Sequence, residues 1–309
     1  VEGLQEILTV FGAELRRAIR SGRVVVLLTL YSMFSLLVLF VVGSISNGIR
    51  HGMEMKLAAQ GAPADAAQKV SEEFRKGFLG FLFSDDTAMV EALKQIPLVV
   101  LIVFKTALFF LPAYIAFMGF DQISGEVGPR SIRYLTVRSR RSSVMFGKLL
   151  SQAAVLIGLV LLVDLWVFIY AMVNNPEFTL GLMLATLAKF WAASIVFSLA
   201  YLALTTACSA LFRTPAVSLV FNFMMLFVFW LIDTVGGHFV AQVPGLLDAD
   251  APKEIESPLA YIRFLSPSHY SSDLLHPHFS HFGVSGAAYA GFALIFLAAS
   301  WAILRARDL

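Results

Sequence analysis

Apolar side chains are gathered in six long runs separated by polar stretches. A helix needs about 20 mostly apolar residues to cross a bilayer. Residues 24–45 meet this with no charge at all. Residues 96–120 meet it while carrying Pro97, Lys105 and Pro112, and 149–173 enclose Asp164. Residues 182–211 have Lys189 near their start, 215–232 form a shorter run opening on Pro215, and 285–304 close the set. Proline suits a first helical turn, where its missing N–H has no partner to lose. The pattern predicts an all-α polytopic membrane protein, one transmembrane domain over 1–309, with six transmembrane helices and both termini on one side. Ahead of the first run, Leu4, Ile7, Leu8, Phe11, Leu15 and Ile19 recur at helical spacing, opposite Glu6, Glu14, Arg16, Arg17 and Arg20. That is an amphipathic helix, predicted over 4–20, lying in the membrane interface. Within the polar stretch 46–95, residues 63–83 have a helical pattern, and Asp85-Asp86-Thr87 forms a helix start before 89–95. Residues 121–148 form a polar loop punctuated by Gly125 and Gly128-Pro129, with a short helix predicted over 131–137. Residues 233–284 are rich in Pro, Asp and His.

Composition narrows the class. Hydrophobic residues make up 58% of the chain and charged residues 14%, with a mean hydropathy of +0.78. A water-soluble fold cannot wet such a surface. The net charge of +2 gives no electrostatic footprint for nucleic acid. Cys208 is the single cysteine, which excludes an intrachain disulfide and a cysteine-based metal knuckle. Residues 1–23 do not read as a cleaved signal, because the apolar run behind them is too long and no small-residue cleavage site follows. Charge also orients the spans. One side collects thirteen basic residues near helix ends, among them Arg16, Arg17, Arg20, Arg23, Arg140, Arg141, Lys148, Arg213, Arg305 and Arg307. The other side has eight, spread over longer loops and mixed with acids. The positive-inside rule then predicts cytoplasmic termini and a cytoplasmic 121–148 loop, with 46–95 and 233–284 external.

Three features carry candidate chemistry. Lys105 and Asp164 are charges at similar predicted depth, about 21 Å from the cytoplasmic helix ends. They could pair to orient two helices, or line a substrate or proton path. Lys189 lies near the outer boundary, where snorkelling accounts for it. His269, His276, His278 and His281, with Asp273 among them, could ligate Zn²⁺ or Cu²⁺. No two of the histidines are four apart and Pro277 splits them, so the alternative is a polar loop whose histidines cap turns or face water. Small residues recur four apart at Gly283, Ala287 and Gly291, at Ser194 and Ser198, and at Ala203 and Ala207, a spacing that lets helices approach closely, by default within the chain. An intramembrane enzyme is poorly supported, since Asp164 has no second carboxylate in a neighbouring span. A secondary transporter would show inverted repeats and broken helices; Pro112 could break its span, but no matching half is visible.

The stretch from Asp121 to Leu150 resembles the signature of ABC-2-type exporter permeases. That signature has a Glu, a Gly shortly after it, a Leu-rich turn, an Arg, and Gly-Lys at the start of the third span. Glu126, Gly128, Leu135, Arg141, Gly147 and Lys148 fall on it, with Arg138 where the family has Pro ahead of the Arg. Phe264-Leu265-Ser266-Pro267 before the last span and Arg305-Ala306-Arg307-Asp308 after it are similar to the family's endings, and the amphipathic start fits as well. The resemblance covers the whole chain in architecture and is silent on substrate. It implies the membrane subunit of a bacterial inner-membrane ABC exporter, not itself an enzyme. ATP and Mg²⁺ would sit on two copies of a separate ATP-binding subunit, with no cofactor on this chain. The chain agrees in lacking a P-loop, since Gly147-Lys148 is followed by Leu149 rather than Ser or Thr. The resemblance further implies a coupling helix near 125–138, edged by Arg130 and Arg133, a smaller contact at Phe212-Arg213-Thr214, and a second permease copy making a homodimer. Cargo would pass between the copies and be hydrophobic or amphipathic. The alternative is a subunit that transmits ATP-driven motion to an external partner protein.

Overall fold

A computed structural model describes residues 2–59, 73, 75–80, 87–129, 139–175, 178–241 and 258–307. Among them, helices account for the secondary structure and no strand occurs. Helix α1 (Glu2–Arg20) keeps its apolar stripe on one side and its charges on the other. Ser21 breaks the chain direction, its N–H still bonded back to Arg17 O and Ala18 O at 3.0 and 3.1 Å. Helix α2 (Gly22–Ala59) follows, then the short α3 (Thr87–Leu93), α4 (Leu98–Gly119) and the single turn α5 (Ser124–Val127). The remaining long helices are α6 (Arg141–Asn174), α7 (Leu180–Leu211), α8 (Pro215–Ala241) and α9 (Phe279–Ala306). Among the described residues, six helices (α2, α4, α6, α7, α8 and α9) are long and apolar enough to cross a membrane.

Several boundaries differ from the sequence reading. Hydropathy marks where lipid ends, whereas a helix ends where its backbone loses partners. The helix over the first span runs on to Ala59, 38 residues in all. At 1.5 Å per residue that is about 57 Å, nearly twice a hydrocarbon core, so α2 projects well past it. Helix α6 starts at Arg141, so the last part of the predicted 121–148 loop, from Arg141 onward, is helix. Helix α8 extends nine residues beyond the predicted 232, and α9 begins six residues before 285. Pro112 sits inside α4 without ending it. Thr87 opens α3 as expected. Of the predicted 63–83 helix, only 73 and 75–80 are described, and they are helical.

The core lies where α4, α6 and α7 meet. Leu101, Ile115, Leu156, Phe168, Phe190 and Ala200 are all buried there. The rings of Phe104 and Phe190 are 4.1 Å apart, and Phe168 meets Phe190 edge-on at 5.7 Å. Half of the most apolar stretch of α4 is buried, against 17% for α8. So α4 is the central post, and α2, α8 and α9 are staves with an open face. Ser194, Ser198 and Ala203 are buried, as expected of close helix contacts. Gly283 and Gly291 are not part of one: no neighbour lies within 4 Å of where a Cβ would stand on either. The face of α9 that packs inward carries Ser285, Tyr289, Ala293, Ser300 and Leu304 instead.

Residues 258–275 form three short 3-10 helices (Pro258–Leu265, Pro267–Ser271 and Asp273–Leu275) that plug one end of the bundle. Ser266 caps the second, accepting the N–H of Ser268 at 3.2 Å and donating to Phe229 O at 2.8 Å. Tyr289 donates to Pro267 O at 2.7 Å, and Lys189 to Leu275 O at 2.8 Å. The Ser-Pro pair before the last span is therefore a hinge pin for the plug, and Lys189 caps a turn rather than reaching for water. The opposite end of the bundle carries Glu2 and Arg307, the first and last described residues, and most of the described arginines; we call it the basic end.

Candidate functional site

At the basic end, α4 stops at Gly119 and the chain turns through Asp121 to Ile123 into α5. Ser209 of α7 holds that turn, its hydroxyl accepting the N–H groups of Ile123 and Ser124 at 2.9 and 3.1 Å. Ser209 escaped the sequence reading because a lone serine at the end of an apolar run carries no distinctive signal. Glu126 then meets Lys148: the ammonium of Lys148 lies 2.7 Å from Glu126 and 2.6 Å from Glu14. Arg17 lies 3.6 Å from the same Glu126 oxygen. Lys148 is only 4% exposed. One buried cation thus ties the turn after α4, the start of α6 and the amphipathic α1 together.

Arg141 serves the far end of the chain. Its Nη1 donates to the carbonyls of Leu304, Arg305 and Arg307 at 2.9, 3.3 and 3.0 Å. The last carbonyls of a helix have no partner of their own and carry partial negative charge, so one guanidinium satisfies both needs. Arg307 in turn donates to Leu211 O, the end of α7. Burial, with Arg213 nearby, pushes the pKa of Arg307 down from its ordinary value.

Two glycines mark close approaches. A Cβ on Gly147 would stand 2.7 Å from Val10 and 3.1 Å from Ile7 O, so α1 rests directly on the backbone of α6. A Cβ on Gly128 would stand 2.9 Å from Arg213 O. The two stretches predicted to meet a partner, the 121–148 loop and Phe212-Arg213-Thr214, are therefore side by side. Gly128, Pro129, Arg213 and Thr214 are exposed there. Arg130, Arg133, Leu135 and Arg138, and the predicted 131–137 helix, lie outside the described residues.

Lys105 and Asp164 are given different neighbours rather than each other. Lys105 donates to Ser272 Oγ at 2.9 Å and sits in the field of Asp273, against the plug. Asp164 is buried within electrostatic reach of Tyr31, whose ring is 5.2 Å from that of Tyr114. Matching depth does not fix direction around the helix. Nine residues separate Lys105 from Tyr114, about two and a half turns, which puts them on opposite faces of α4. The Asp164 Oδ2 atom has no hydrogen-bond partner among the described residues.

The histidines divide likewise. His269 stands 3.8 Å from Asp233. Burial, and then the charge of Arg263, lower its pKa from the ordinary imidazole value. His276 stacks on His281 with centroids 3.9 Å apart, and its Nδ1 accepts the N–H of His278 at 3.2 Å. Among the described residues, no group of three or more His, Cys, Asp or Glu side chains is arranged to hold a metal ion. What the structure gives these histidines is turn capping and stacking.

Compared with known proteins, residues 8–305 match the family model described as ABC-2 family transporter protein. A search of curated proteins returns no match. The match takes in α1 from Leu8 onward, the six long helices as far as Arg305, the turn at Glu126 and the plug, which is nearly the full chain. By fold, by span count and by this match, the chain belongs to the ABC-2 transporter family.

Proposed function

We propose that the chain is the membrane-spanning permease subunit of a bacterial ABC exporter, driven by ATP hydrolysis on a separate ATP-binding subunit. The observation that carries this reading is the adjacency of Gly128 and Arg213, which merges the two expected partner contacts into one exposed surface. That surface sits on a braced frame. Lys148 joins α1, α5 and α6, Ser209 joins α5 to α7, and Arg141 joins α6 to α9. A push delivered there by a closing ATP-binding dimer would move five helices together instead of bending one loop. Two ATP-binding subunits and two permease copies form the working unit in this reading, probed through the open faces of α2 and α8. Cargo would pass between the copies, and the exposed apolar side chains on those helices suit a hydrophobic or amphipathic molecule.

In this reading the basic end faces the cytoplasm of a bacterial cell, which its excess of arginine supports. Single cysteines test it. Arg213→Cys, at the exposed turn, should react with an impermeant maleimide only after the membrane is opened. Phe279→Cys, on a residue 82% exposed at the other end, should react in intact spheroplasts. The reverse labelling pattern would refute the orientation and, with it, the ATP-coupled reading. A second reading, transmission of motion to an external partner, draws on α2, which carries helix far past the hydrocarbon on the plug side.

A further inference from the structure

His269 stands in the middle of the plug. The anchors of the plug lie on either side of it: Ser266 bonded to α8 and Pro267 to α9, then Ser272 bonded to α4 and Leu275 to α7. The ring of His269 meets those of Phe264 and Tyr270 edge-on, with centroids 5.1 Å apart in each case. Its Nδ1 is 3.8 Å from Asp233 Oδ1 on α8, too far for a hydrogen bond. The guanidinium of Arg263 lies over the same Phe264 ring, 5.4 Å from its centroid. Arg263 also marks where the first 3-10 helix rests on α8. A Cβ on Gly236 would stand 2.8 Å from Arg263 Cβ and 3.1 Å from its N, so the two backbones touch there.

Charged groups reach His269 from several elements. Asp233 of α8 and Asp273 of the third 3-10 helix favour an imidazolium, whereas Arg263 of the first opposes one. Lys105 of α4 is held at Ser272 in the field of Asp273, and Lys189 of α7 is held at Leu275 O. Tyr201 of α7 at Ser268, Tyr289 of α9 at Pro267 and the neighbouring Tyr270 bring phenols, which stay neutral where imidazole titrates. Burial between two aromatic rings acts first and Arg263 second, and together they outweigh the carboxylates. A neutral imidazole suits this place and a charged one is driven toward water. We propose that His269 is an acid-operated release in the plug: once protonated it repels Arg263 and lifts the first 3-10 helix off α8. An imidazole whose pKa is lower packed than free supports the packed form above its free value, near 6.5. That support is lost as pH falls from there toward the packed value. The release belongs to the plug alone and holds whether or not the chain works with an ATP-binding subunit.

The test is the distance between spin labels at Tyr261→Cys on the first 3-10 helix and Leu231→Cys on α8, both exposed side chains. It is measured by pulsed electron resonance on the purified full-length chain in nanodiscs, with the buried Cys208 replaced by Ala. At about pH 8 one short distance should dominate. From about pH 7 down to about pH 5 a longer one should grow in, its ratio to the short one rising by up to about tenfold per pH unit. His269→Phe keeps a ring against Phe264 and Tyr270 but cannot charge, so its ratio should stay constant within about twofold. Where that variant fails to fold, His269→Gln carries the same expectation. Arg263→Gln removes the repelling charge and should cut the total rise by about threefold. A wild-type ratio that does not change over this range would overturn the proposal. So would a rise that persists in the His269 variants, which would assign the acid response to other groups such as the stacked His276 and His281. A full wild-type rise in Arg263→Gln would overturn the repulsion as its cause.

Discussion

Lys148 shows how one buried charge can define an architecture. It stands between Glu14 and Glu126, and its removal would leave two carboxylates facing each other with little water between them. Breaking a buried pair in this way costs roughly 3 kcal/mol or more, because the orphaned charge keeps its desolvation penalty. Lys148→Met should therefore lower stability by about 3 kcal/mol in thermal unfolding in detergent. The triple variant Lys148→Met, Glu14→Gln, Glu126→Gln should recover most of the loss. A triple variant as unstable as the single would mean that the ion cluster is not what holds α1, α5 and α6 together. Arg141 belongs to the same class of residue. Its three carbonyl partners make it a helix cap, so Arg141→Ala or Glu126→Ala would report on folding and not on coupling. Of the residues the family signature suggested, Arg213 is the described one whose side chain is exposed and free to meet a partner.

At the scale of elements, the docking of α1 on α6 should depend on pH. The carboxylate of Glu6 accepts the N–H of Arg140 at 3.2 Å. That bond, followed by one to Ser143, holds its pKa below the ordinary carboxylate value. A carboxyl whose folded pKa is depressed contributes above its unfolded value, near 4.3, and loses the contribution as pH falls through the folded one. A spin label at Leu4→Cys should therefore gain mobility as the medium is acidified below about pH 4. In a Glu6→Gln background the mobility should already be raised and should not change over that range. The same helix shows what a sequence can and cannot disclose. The 4–20 stripe and the six apolar runs were legible because burial in lipid or at its surface leaves a periodic imprint. The plug at 258–275 was legible as a stretch rich in Pro, Asp and His with a family-like Phe264-Leu265-Ser266-Pro267, but not as an element, since 3-10 turns held by Ser266, Tyr289 and Lys189 have no period. Gly147 and Gly128 were visible as signature letters, but their reason, the approach of Val10 and of Arg213 O, exists only in three dimensions. Lys105 and Asp164 were legible as costly charges. Their neighbours were not, because depth along a helix follows from counting whereas direction depends on packing.

For the whole molecule, the two ends are built to different designs. The plug end is closed by hydrogen bonds from α7, α8 and α9 into a short loop. The basic end is a frame of cross-braced helix ends with an exposed turn at its edge. Such a molecule can take a load at one end and transmit it along α4, α6 and α7, whose packed core does not yield locally. The most direct measurement is ATP hydrolysis by this chain co-expressed with candidate ATP-binding subunits, comparing wild type with Arg213→Glu. Arg213→Glu should reach the membrane with wild-type thermal stability, yet lose about tenfold or more of the permease-dependent hydrolysis, as expected when an interface charge is reversed. Wild-type hydrolysis by Arg213→Glu, or no ATP-binding subunit held by the wild-type chain, would contradict a coupling surface at the basic end.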